Sequence, residues 1–179
     1  MALRDDIGTL RDRQDRLCAR LTELRITVAE DRPRARDLAL TDVRADALDD
    51  LLALALESAA AASAALQHAT RPVDPPAVGR AILRCQELQD ALSEKLGLDL
   101  LAFERIAELR EVARRHGREW ASWASSVEAS LQGCAEALRD VSVAVIACWR
   151  GWMEWSDIEV SSLGRKAPAH KTAPISKAK

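Results

Sequence analysis

Apolar residues recur at steps of three and four along the last third of the chain, and all five tryptophans lie there. Only an α-helix places residues with this spacing on one face, so the pattern predicts a long helix. The spacing continues upstream through Phe103 and Ile106, so we expect the helix to run from about Asp99 to Val160, with a kink or short break at Gly117. The apolar face consists of Trp120, Trp123, Val127, Leu131, Cys134, Leu138, Val141, Val145, Cys148, Trp152 and Trp155.

A second, narrower stripe runs through residues 3–30, where charged residues crowd the other faces of the predicted helix. Its apolar positions alternate steps of three and four, as in a coiled coil. They are Ile7, Leu10, Leu17, Leu21, Leu24 and Val28. Gln14 is the polar residue of this stripe. It is either partly exposed or a device that fixes the register of helix pairing, and we favour partial exposure.

Two further helical segments are expected at 34–70, where apolar residues form two stripes, and at 77–96. Turns are predicted near 31–33, at Pro33, and near 70–76, where three prolines cluster. A third is predicted near 97–99, where Gly97 and Asp99 suit a helix end and a helix start. The sequence therefore predicts an all-α fold, an elongated antiparallel helical bundle or coiled coil of three to four long helices. This up-down-up-down domain would occupy residues 1–163 and precede a disordered C-terminal tail at 164–179.

Composition and charge refine this picture. Hydrophobic residues make up 48% of the chain but aromatic residues only 3%, so the core must be built mainly from Leu, Ala and Val. The predicted tail has no acidic residue and five basic ones, which leaves the rest of the chain with a formal charge of −7 and disfavours a broad nucleic-acid surface. The tail could act only electrostatically, on an acidic partner or weakly on nucleic acid. Its cations are Arg165, Lys166, Lys171, Lys177 and Lys179.

The expected location is the cytoplasm. The N-terminus has no signal-peptide pattern, and no uncharged apolar stretch of about 18 residues is apparent, so no spanning helix is expected. Frequent Arg and Ala are typical of a GC-rich bacterial genome. The layout resembles small bacterial helical accessory or adaptor proteins in its helix lengths alone, and this resemblance carries no functional residue over.

No pattern of catalytic residues, cofactor-binding residues or metal ligands stands out, so we expect no enzyme, no cofactor, no metal and no small-molecule substrate. The four cysteines form no CxxC pair, and Cys85, Cys134 and Cys148 are expected to be small buried thiols. Di-iron bundles use Glu-x-x-His, whereas this chain has the reverse order from His116 to Glu119. The alternative is a helical-bundle enzyme or ligand-binding subunit that uses His116 and neighbouring carboxylates.

The tryptophans carry the functional prediction. Trp149, Trp152 and Trp155 spread around the helix, and the segment 141–149 is apolar nearly all round, which exceeds what one core face requires. We therefore expect a scaffold or adaptor that binds itself or a partner helix, although the rings could instead plug the bundle end. Membrane or nucleic-acid binding through the Trp cluster and tail is a further alternative. The acidic residues between cluster and tail disfavour an anionic membrane, and the five dispersed cations of the tail would bind nucleic acid only weakly. The predicted interface comprises Trp120, Trp123, Val145, Cys148, Trp149, Trp152 and Trp155.

Overall fold

The computed structural model describes residues 2–30, 45–70, 73–116 and 118–164, with side chains described except at 29–30, 45–47, 97–120, 124 and 158–164. These ranges contain four helices and no strand: α1 (Ala2–Glu30), α2 (Ala45–His68), α3 (Pro75–His116) and α4 (Arg118–Gly164). The all-α prediction is therefore confirmed.

The four helices form a ring in which each packs on two neighbours. α1 contacts α2 and α4, and α3 contacts the same two helices. The start of α1 lies against the late part of α4, where Leu3 abuts Gly151, whereas Trp123 near the start of α4 bonds to Thr27 near the end of α1. The same reversal relates the other neighbours, so the bundle is antiparallel throughout, up-down-up-down.

The core contains the stripes that the periodicity predicts. All six apolar positions of the α1 stripe are buried, and so is the α4 series from Val127 to Cys148. α2 contributes Ala55, Ala62 and Ala65, whose small side chains let neighbouring helices approach closely. Helix packing is thus dominated by Leu, Val and Ala, as the composition indicates.

Two glutamines lie inside the bundle. Gln14 is fully buried and its side-chain nitrogen donates a hydrogen bond to the hydroxyl of Ser58 across the α1–α2 contact. Gln89 of α3 donates to the Leu138 carbonyl and to the Ser142 hydroxyl of α4, both at 3.1 Å. The interpretation of Gln14 as partly exposed is wrong. Its position fits the alternative, a polar residue that fixes helix register.

The helix boundaries correct one prediction. Residues 97–99 are not a turn, because α3 continues through Gly97 to His116. A single glycine costs only about 1 kcal/mol in a helix interior, and good helix formers on both sides tolerate that cost. The helix expected from Asp99 to Val160, with a kink or short break at Gly117, is divided between two helices: α3 ends at His116, and α4 begins at Arg118 and runs antiparallel to α3.

The predicted loop near 70–76 lies between the end of α2 at His68 and the start of α3 at Pro75. Asp74 caps α3, because its carboxylate accepts a hydrogen bond of 3.1 Å from the backbone N–H of Ala77. Pro75 and Pro76 open the helix, where a missing N–H is harmless. The predicted turn near 31–33 and the tail residues 165–179 lie outside the described residues.

One helix differs from the expectation about membranes. Leu48–His68 of α2 is long and apolar enough to cross a bilayer, with a mean hydropathy of 1.2. Core helices also meet this criterion, and in the bundle α2 supplies Leu51, Ala55 and Ala62 to the interior.

Candidate interaction surface

Two half-buried tryptophans of α4 form hydrogen bonds to α3. The indole N–H of Trp149 donates to the Gln86 side-chain oxygen at 2.5 Å, and that of Trp152 donates to the Pro75 carbonyl at 3.2 Å. The two rings meet edge to face, with centroids 5.6 Å apart and planes at 86°. This is a favoured aromatic geometry, so the pair is a rigid unit that bridges the helices at the start of α3.

The Trp152 ring lies directly on Gly79 of α3. A Cβ atom added at Gly79 would stand 2.7 Å from Cζ2 and 2.9 Å from Cε2 of the indole, far inside van der Waals contact. Gly79 is itself buried. The close approach of ring to backbone therefore requires glycine at this position.

The remaining tryptophans occupy different environments. Trp123 is half-buried and its indole N–H donates to the Thr27 carbonyl at 3.3 Å, satisfying one of the last carbonyls of α1. Trp155 is half-buried on α4, beyond the Trp149–Trp152 pair. The side chain of Trp120 is outside the described set. The four tryptophans whose side chains are described are thus not gathered into one patch.

Two residues of the predicted interface belong to the core. Val145 is 3% exposed and Cys148 is fully buried, so neither can contact a partner while the bundle is closed. The assignment of these two residues to a contact surface is therefore wrong. Both continue the core stripe of α4, and their phase on the helix turns them toward the interior.

The cysteines are free, and three are buried thiols as predicted. Burial raises the pKa of Cys85 and of Cys148 to about 12 and the pKa of Cys134 to about 11. Cys18 is half-buried, and burial together with the nearby Asp15 carboxylate raises its pKa as well. Thiols with raised pKa values are poor nucleophiles and poor metal ligands.

A second series at heptad spacing follows the outside of α4. Its six members are all exposed, and we call them the outer seam: Arg139, Val143, Ile146, Arg150, Met153 and Asp157. Val143, Ile146 and Met153 are 56%, 53% and 51% exposed, and together they form a row of large apolar side chains on one face of the helix. The apolar excess of segment 141–149 pointed to this surface, but the sequence-based interface omitted all six of these residues.

The outer seam adjoins the bridging tryptophans. Trp149 lies three residues after Ile146 and four before Met153, which makes it their neighbour on the helix surface. Leu83 of α3 is 47% exposed and lies about one turn from both Gly79 and Gln86, the residues that the two indoles touch. Helix spacing therefore places Leu83 near the two bridging tryptophans, and Trp149 beside the apolar residues of the outer seam.

Other candidate chemistry finds little support in the described part of the chain. No group of three or more His, Cys, Asp or Glu residues is placed there to hold a metal ion. The His116 side chain and the tail cations Arg165, Lys166, Lys171, Lys177 and Lys179 are outside the described set.

Comparisons with protein-family models, curated protein sequences and solved structures gave no match.

Proposed function

We propose that this protein is a non-enzymatic helical scaffold or adaptor that binds a partner helix, or itself, through the α3–α4 surface. The observation that carries the proposal is the outer seam, where three large apolar residues lie more than half exposed on one helix. Apolar surface of this kind is typical of binding sites, because its burial against a partner is favourable.

The arrangement of the tryptophans supports the same proposal. Trp149 and Trp152 are anchored on their inner edges by Gln86 and Pro75, so their orientation is fixed before any partner arrives. Anchored aromatic rings lose little conformational freedom on binding, which favours affinity. In this proposal the indoles both close the bundle and form the edge of its docking surface.

The setting we propose is the cytoplasm, with the chain acting as an accessory subunit of a bacterial complex. The burial of three thiols in the bundle fits a compartment in which cysteines stay reduced. The mainly aliphatic core and helix-to-helix contacts fit a structural role.

A pair of matched substitutions tests the proposal. Ile146→Glu places a charge in the outer seam, and Leu56→Glu places one at an equally exposed site, 55%, on α2. Both should leave the circular dichroism spectrum and thermal melt nearly unchanged, since exposed positions contribute little to stability.

Two measurements detect binding. Sedimentation of the purified protein detects self-association, and affinity capture from an extract of the cells that naturally make the protein detects a partner. Ile146→Glu should lose the associated species and Leu56→Glu should keep it. Equal binding by the two variants would contradict the proposed surface.

A further inference from the structure

We propose that the outer seam binds the same seam of a second copy of this chain, antiparallel, about a two-fold axis at the level of residue 148. The inference rests on the proposed function and names the partner. It follows from the spacing, the charges and the exposure of six residues on α4.

The spacing of the outer seam reads the same in both directions. From Arg139 to Asp157 the steps are four, three, four, three and four residues. In heptad terms the positions alternate between d and a, and reversing the helix brings each d opposite an a. Two copies can therefore interlock along the whole seam, which is about 27 Å long at 1.5 Å per residue.

The antiparallel alignment pairs compatible side chains. Arg139 faces Asp157 of the second copy, Val143 faces Met153, and the aliphatic stem of Arg150 covers Ile146. The two-fold axis repeats each pairing, which gives two ion pairs at the ends and apolar contacts between them. A parallel alignment would instead oppose arginine to arginine and aspartate to aspartate, which costs free energy.

The two charges that this alignment pairs are available. Arg139 and Asp157 form no ion pair within the described part of their own chain, and neither does Arg150, whereas Arg25 and Arg84 pair with acids on α2. The three apolar residues between them are more than half exposed. Charge complementarity therefore selects a second copy, rather than an unrelated helix, as the occupant of the seam.

A charge-exchange experiment tests the dimer. In the homodimers of Arg139→Glu and of Asp157→Lys, both end pairs become like-charged, so each variant should associate about 10-fold more weakly than the wild type at low salt. In a mixed dimer of one copy of each variant, the two substituted positions face each other with opposite charges, and the native Arg139 and Asp157 face each other at the other end. An equimolar mixture of the two variants should therefore regain wild-type association.

The readout is sedimentation equilibrium on the full chain, with circular dichroism to verify that each variant is folded. Arg4→Glu, an equal charge change at an exposed site on α1, should dimerise like the wild type. Failure of the mixture to recover would overturn the antiparallel pairing, and so would equal weakening by Arg4→Glu.

Failure here is distinguishable from failure of the proposed function. A wild-type chain that stays monomeric at high micromolar concentration overturns the dimer, while affinity capture lost in Ile146→Glu still supports a surface for another protein. If the wild type and both charge variants dimerise equally well and only Ile146→Glu is monomeric, the antiparallel register proposed here is wrong. The outer seam then still stands as the contact surface.

Discussion

Trp152 of α4 rests on Gly79 of α3 with no room for a side chain between them, and its indole N–H reaches the Pro75 carbonyl one turn earlier. The glycine provides the space, and the hydrogen bond fixes the ring within it. This contact sets how closely α3 and α4 approach at one end of the bundle.

Gly79→Ala should destabilise the protein. The new methyl would lie less than 3 Å from the indole, and such overpacking typically costs about 1–3 kcal/mol, at least as much as the gain in helix propensity of about 1 kcal/mol. The free energy of unfolding in urea, followed by circular dichroism, should fall accordingly.

Gly133→Ala is the matched control. A Cβ at Gly133 would meet only the Arg20 side chain, at an ordinary 3.7 Å. This variant should be as stable as the wild type or more stable by up to about 1 kcal/mol, because alanine favours the helix. Similar behaviour of the two glycine variants would contradict the role of Gly79.

The buried pair of Gln14 and Ser58 predicts a coupled effect. Ser58→Ala removes the acceptor of the Gln14 N–H and leaves a buried donor unpaired, which should cost about 1–3 kcal/mol of stability. Adding Gln14→Leu should recover most of that loss, because the pair becomes apolar and of similar size. Urea unfolding of the two single variants and the double variant gives the coupling energy.

Additive effects of the two substitutions would show that the hydrogen bond is not a coupled unit. The side-chain oxygen of Gln14 has no hydrogen-bond partner in the described part of the chain. For this reason Gln14→Leu alone is expected to be no more than mildly destabilising, despite the loss of its bond to Ser58.

Stability should fall at alkaline pH. The pKa values of Cys85, Cys134 and Cys148 lie at about 11–12 in the folded protein, above the ordinary value near 9 that applies to the unfolded chain. The unfolded state therefore loses protons first. Below about pH 9 the thiols are neutral in both states, and their contribution to the free energy of unfolding is fully present. As the pH rises toward 11–12, that contribution falls by about 1.4 kcal/mol per pH unit for each thiol.

The measurement is urea unfolding under reducing conditions at pH 8, 9 and 10. Cys148→Ala should lower the free energy of unfolding at pH 8, because packing is lost. It should also make the decrease of that free energy with pH less steep, by the contribution of one thiol. An unchanged slope in this variant would contradict a buried, protonated Cys148. The chain has no tyrosine whose ionisation could add to the slope.

The sequence predicted the core well where the periodicity was long and uninterrupted. The α1 stripe from Ile7 to Val28 and the α4 stripe from Val127 to Cys148 are buried as expected, because a helix with one apolar face must turn it inward. The same stripe already placed Val145 and Cys148 inside, so their assignment to a partner interface conflicted with the helical phase.

Two features could not be predicted from one sequence. Gly97 and Gly117 carry similar intrinsic costs in a helix, yet α3 continues through Gly97 and ends only at His116, where its pairing with α4 sets the boundary. The contact of Trp152 with Gly79 joins residues far apart in the chain, and no local pattern indicates it. Both depend on tertiary packing, which overrides local preference.

Because all five tryptophans lie on one helix, the intrinsic fluorescence of the protein reports on the packing of that helix. With no tyrosine in the chain, its near-ultraviolet emission originates almost entirely from α4. Trp123 senses the end of α1, while Trp149 and Trp152 sense the start of α3. Single replacement of these indoles by phenylalanine would separate the signals from the two ends, so that fraying of either end can be followed without any attached dye.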